Sequence, residues 1–135
     1  MEYTVENTIE KILQKFPDFA PTWTKHLEYW DGDDSRTIGI DIAEFQSFIS
    51  YKLKLKEKYN FQEVFDLIEL LLVDGSDDVE YAIQFNFLEN LLNRSSSGHF
   101  PINSFFDYLG KESKAFCKAN EEFWEIEDSK FYKDN

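Results

Sequence analysis

Apolar residues recur along this chain at the spacing of a helix almost from end to end, and that pattern restricts its possible folds more than any other feature. Val5, Ile9, Ile12, Leu13 and Phe16 fall at i, i+4, i+7, i+8 and i+11, one face of an amphipathic helix. Phe16-Pro17 predicts its end, because the residue before a proline is pushed out of the α conformation. Pro21 suits the first turn of a second helix, where its missing N–H costs nothing, and Trp23, Leu27 and Trp30 line that helix. A third carries Ile42, Phe45, Phe48, Ile49 and Leu53, with Asp41 and Glu44 at the spacing of a capping box. Lys52, Lys54, Lys56 and Lys58 then read as a basic stretch fraying into a linker. No long run alternates with period two, and Val, Ile and Thr are not clustered, so strands are not expected.

Asn60 and Glu63 repeat the capping spacing. Behind them Phe61, Val64, Phe65, Ile68, Leu71 and Leu72, widened by Leu67 and Leu70, make a stripe broad enough for contact on two sides. The fourth helix is therefore expected to be central. Asp74-Gly75 ends it, and Ser76 or Asp77 caps a fifth helix running to about Asn93. There Tyr81, Phe85, Leu88 and Leu92 form one apolar row and Ile83, Phe87 and Leu91 a second. Asn86, Glu89, Asn90 and Asn93 share a polar face, read as solvent-facing or as binding neighbouring helix ends, with a ligand site as the functional alternative. Pro101 opens a short helix with Phe105, Phe106 and Leu109, and Gly110 is expected to supply a left-handed stop. A last helix holds Ala115, Phe116, Ala119, Phe123 and Trp124. The expected fold is all-α, a single domain over residues 1–124 of about six to seven helices. They pack as an antiparallel bundle or a short HEAT-like stack, followed by a charged tail over 125–135.

Composition excludes several functions. With 14 Phe, 7 Tyr and 3 Trp in 135 residues, disorder is not the main state. One cysteine excludes an internal disulfide framework, and Cys117 reads as a small core residue. The acidic start, Met1-Glu2-Tyr3-Thr4-Val5-Glu6, is unlike a signal peptide, and Leu70-Leu71-Leu72-Val73 is far short of the ~20 apolar residues that span a bilayer. A cytoplasmic protein is expected. The chain has no P-loop, no G-x-S-x-G, no H-E-x-x-H and no Glu-x-x-His pair, and His26 and His99 have no obvious shared partner. Ser113 reads as part of a helix start. An Asp31-Gly32-Asp33-Asp34-Ser35 calcium loop of the EF-hand type would need glutamate at position 42, where the chain has Ile42. Neither catalysis nor a cofactor nor a metal is expected.

The net charge of −13 is distributed unevenly. Residues 35–60 are slightly basic, whereas residues 61–93 hold eight acids and no Lys or Arg. A body so charged repels phosphate, which excludes nucleic acid and anionic membrane as partners. It attracts a basic protein, because complementary charge speeds encounter and selects partners. The residues expected to meet such a partner are Asp66, Glu69, Asp74, Asp77, Asp78 and Glu80, with Asp31, Asp33 and Asp34 secondary.

Several stretches carry a resemblance. They are Phe16-Pro17-Asp18-Phe19, Gly39-Ile40-Asp41-Ile42-Ala43-Glu44-Phe45, Phe87-Leu88-Glu89-Asn90-Leu91, Tyr108 through Cys117, and Phe123-Trp124. Together they resemble a family of small, uncharacterised bacterial helical proteins that look like immunity proteins accompanying secreted toxins. The resemblance implies a chain that binds and blocks a cognate, basic toxin, and it supplies no catalytic residues. The alternatives are a helical adaptor or regulatory module without a toxin partner, and a small-molecule-binding helical domain.

Overall fold

The computed structural model describes residues 2–123, the last three by backbone alone; the expected packing of Phe123 and Trp124 and the tail over 125–135 lie outside the described residues. The chain is all-α. Its elements are α1 (Thr8–Lys15), a 3-10 turn (Pro17–Phe19), α2 (Ala20–Tyr29), α3 (Ile38–Lys54) and α4 (Phe61–Asp74). There follow α5 (Asp77–Tyr81), a π-helical segment (Ala82–Glu89) and α6 (Asn90–Ser96), which form one unbroken rod. Two 3-10 turns (Ile102–Ser104, Phe106–Tyr108) lead to α7 (Lys111–Phe123). Among the described residues no strand forms, and no helix is long and apolar enough to cross a membrane.

One core joins these pieces. Phenylalanine rings touch in sequence from Phe16 and Phe19 to Phe45 (5.8 and 5.1 Å), on to Phe87 (6.1 Å), Phe65 (6.1 Å), Phe105 (6.2 Å) and Phe100 (5.9 Å). Each such pair adds about 0.5–1.5 kcal/mol beyond the area it buries. The line crosses the 3-10 turn after α1, α3, the π segment, α4 and the turns before α7, so this is a single domain. As expected, α4 is central: Phe61, Val64, Phe65, Leu67, Ile68, Leu71 and Leu72 are buried, and α4 packs on α5, the π segment and α7. Leu70 and Val73, at 46% and 61% exposure, are turned out of that stripe.

Asn60 caps α4 as predicted, but the return half of the capping box runs from side chain to side chain and not to the Asn60 backbone N–H. Asn60 Oδ1 accepts from the Glu63 N–H at 3.1 Å, and Asn60 Nδ2 donates to Glu63 Oε2 at 3.1 Å. Other expectations are corrected. α1 starts at Thr8, and Val5 lies outside it, exposed. Tyr3 is drawn into a parallel bridge with Gly75, the Ser76 N–H donating to the Tyr3 carbonyl at 2.8 Å, which holds the chain extended there. In α2, His26 is buried while Leu27 is exposed. α3 begins four residues earlier than expected, with Thr37 as its N-cap accepting from the Ile40 N–H, so Asp41 and Glu44 lie within the helix and are not its cap. Its end is a Schellman turn, with Lys56 at φ 55° and the Glu57 N–H donating to the Lys52 carbonyl at 3.0 Å. Gly110 is not a left-handed stop. Its hydrogen faces the Glu69 carboxylate, and a Cβ there would lie 2.4 Å from the Glu69 carboxyl carbon.

Candidate functional site

The acidic residues of α4 and α5 divide into two groups. Asp74 closes α4, and Gly75 makes the turn because a Cβ would meet the Leu71 carbonyl at 2.4 Å. Asp77, Asp78 and Glu80 then fall in the first turn of α5, all exposed. Carboxylates there are favoured by the partial positive charge of the unpaired N–H groups at a helix start. Val79 between them is fully buried and pins the turn to the core. Tyr81 stands beside them at 63% exposure. Its ring lies 4.6 Å from Phe85, which in turn meets Phe116 of α7 edge-on at 5.7 Å. The result is an acidic ridge with an aromatic crest. Apolar spacing alone predicts Tyr81 on a core row. The rod instead changes from α to π winding at Ala82, so Ile83 and Phe87 face inward and Tyr81 outward.

A groove runs along each flank of the ridge. One, of about 430 Å³, lies against the start of α3 and is lined by Val5, Thr37, Ile38, Asp78, Tyr81 and Asn86. Here Gly39 makes room for Asn86, since a Cβ would sit 2.8 Å from its Oδ1. The loop carrying Asp31, Asp33 and Asp34 leads into α3 at Thr37, which lines this groove together with Asp78. Within that loop Asp33 Oδ1 accepts from the Ser35 N–H (2.9 Å) and hydroxyl (2.6 Å). Those two bonds hold the Asp33 carboxyl below its ordinary value. The other groove, of about 520 Å³, lies between α4, the rod and α7, over Leu72, Val73, Ala115 and Phe116, with Glu80, Gln84 and Glu112 at its sides.

The second group, Asp66 and Glu69 of α4, makes hydrogen bonds within the chain. Glu69 caps α7: Oε2 accepts from the Glu112 N–H (2.9 Å), and Oε1 accepts from the Ser113 N–H (3.0 Å) and hydroxyl (2.8 Å). Asp66, though exposed, accepts from Gln62 Nε2 at 2.8 Å. Of the polar face on the rod, Glu89 accepts from Asn120 of α7 at 3.0 Å, Asn90 donates to the Asn86 carbonyl at 3.1 Å, and Asn93 is exposed. Of that face, Glu89 ties the rod to α7, Asn90 bonds within the rod and Asn93 faces solvent.

One cluster is not predicted by the sequence. His26 is buried with both ring nitrogens on carboxylates, Nε2 2.9 Å from Asp41 and Nδ1 3.2 Å from Glu44. A neutral ring carries one N–H and donates to one of them; the imidazolium donates to both. Arg36 Nε reaches Asp41 at 3.5 Å, and its guanidinium lies 5.6 Å from the Trp23 ring centre. The cluster joins α2 to α3. The spacing of Asp41 and Glu44 is the visible signal, but it marks a shared helix face and not a cap. Among the described residues no group of His, Cys, Asp or Glu side chains is arranged to hold a metal ion.

Fold and surface together define a small all-α domain with a ridge of exposed carboxylates and an exposed tyrosine at the start of α5. The chain belongs to the family described as a domain of unknown function, DUF7674, whose model matches residues 9–125. No curated protein and no solved structure matches it.

Proposed function

We propose that this chain is a bacterial immunity protein, which binds a cognate basic toxin in the cytoplasm and blocks it through the acidic end of the molecule. The observation that carries the reading is the ridge of α5. Three exposed carboxylates, Asp77, Asp78 and Glu80, stand beside a 63% exposed tyrosine, within 33 residues that contain no Lys or Arg. Carboxylates of this kind steer a basic partner and raise its association rate. Exposed tyrosine is the side chain type on which interfaces concentrate their energy. Asp31, Asp33 and Asp34 extend the same field, and Asp74 lies at its base.

Co-expression with the product of the adjacent upstream gene tests the reading. A stable complex and restored growth are expected; no complex and no protection would overturn it. Within such a complex, Asp77→Lys/Asp78→Lys is expected to slow association about tenfold at low salt, with the difference closing at high salt. An unchanged rate would remove these two residues from the contact.

A further inference from the structure

We infer that the groove between α4, the rod and α7 is the seat for one amphipathic helix of a basic protein partner. The inference rests on the reading that the chain binds a basic protein, and adds where the partner sits and in what form. The floor is apolar: Leu72 is buried, Phe116 is half-buried, and Ala115 and Val73 are exposed, Val73 at 61%. Alanine at position 115 leaves a hollow that a larger side chain would fill. The sides are Glu80 and Gln84 on the rod and Glu112 on α7, and no lysine or arginine is among the described residues that line it. Lys114 of α7 lays its ammonium over the Phe106 ring, 5.2 Å from the centroid. A helix about 10 Å across presents apolar side chains at i, i+3, i+4 and i+7 to such a floor and cations from its flanks to the carboxylates.

Charge selects among occupants. Residues 124–135 of the chain itself carry four acids and two lysines, and a second copy carries −13, so Glu80 and Glu112 disfavour both. A helix bearing Lys or Arg on both flanks of a Leu-type stripe satisfies the floor and the sides together.

The test uses the full-length chain, isotope-labelled for NMR, and a synthetic amphipathic helix of about 16 residues made of Leu and Lys, with a Leu/Glu version as control. Amide shifts are expected to centre on Leu72, Val73, Gln84, Ala115 and Phe116, with the Leu/Glu peptide inert. Glu80→Lys/Glu112→Lys is expected to weaken binding about tenfold, and Ala115→Trp, which fills the hollow without changing charge, by a similar factor. Glu10→Lys/Glu28→Lys makes the same charge change on α1 and α2, neither of which lines the groove, and is expected to cost less than about threefold. Shifts centred on residues 31–37, or full binding by Ala115→Trp, would overturn the proposal. So would contacts between Phe116 and residues 124–135 in the free chain, or a dimer in solution that Ala115→Trp dissociates. If the groove variants still protect cells against a co-expressed toxin, the groove is wrong and the immunity reading stands. If the peptide seats in the groove but the chain protects against no toxin, the groove stands and the immunity reading fails.

Discussion

At the scale of single residues, the same letter pattern serves two different purposes. Asn60 and Glu63 form a cap because each finds its partner within one helical turn. Asp41 and Glu44 have the same spacing, yet their partner is His26, brought to them by packing of α2 on α3. Glu69 is the reverse case, a cap acting on a helix more than forty residues away. Such a cap has no signature in local spacing. It does make Gly110 testable. A Cβ at 110 would overlap the Glu69 carboxyl group, which three hydrogen bonds hold in place. Gly110→Ala is expected to displace the cap and cost about 1–2 kcal/mol, as is Glu69→Ala. The double variant is expected to cost clearly less than the two singles together, because the second change removes nothing new. Urea denaturation of the three variants checks this; simple additivity would show that the two residues act independently.

At the scale of elements, helix existence was legible and helix registration was not. α3 and α4 follow their apolar periods because their buried faces meet neighbours along most of their length. α1 lost its first turn to the Tyr3–Gly75 bridge, and the π segment rotated the rod so that Tyr81 left the core. The join between α3 and α4 gives a second test. Lys52 lies 4.7 Å from the Phe48 ring centre and 4.5 Å from that of Tyr59, and 3.7 Å from Asp18. The Tyr59 hydroxyl donates to Asp18 at 2.8 Å. Burial first, then that hydrogen bond and the charges of Asp18 and Glu63, push the Tyr59 phenol well above its ordinary value. A raised value means the folded chain holds this proton more tightly than the unfolded one. The stabilisation is therefore complete below the ordinary phenol value of about 10 and is lost as pH climbs beyond it. Tyr59→Phe is expected to lower stability by about 1 kcal/mol at neutral pH and to fall less steeply than the parent between about pH 10 and 12. Parallel alkaline slopes for the two proteins would contradict this.

At the scale of the whole molecule, charge and core act against each other. A single line of aromatic rings pulls the helices together, while a net charge of −13 pushes the surface apart. Raising salt from about 10 to about 200 mM is expected to raise the midpoint of thermal unfolding by a few degrees, as screening weakens that self-repulsion. A midpoint independent of salt would mean the carboxylates are compensated locally, as Glu69 and Asp33 are. The order of residues is enough to dictate the class: helices, because the apolar period is 3.6, and one core, because that period runs nearly the length of the chain. It also dictates the net charge of −13, which no packing alters. Which carboxylates face water, by contrast, was settled only by packing. A side chain's partner depends on which distant backbone is packed beside it, so Glu69 is turned inward to a helix start while Asp77, Asp78 and Glu80 stay outside. Packing also set a groove of mixed apolar and acidic lining between Glu80 and Glu112, residues 32 apart in the chain, because α4, the rod and α7 meet there over a small alanine.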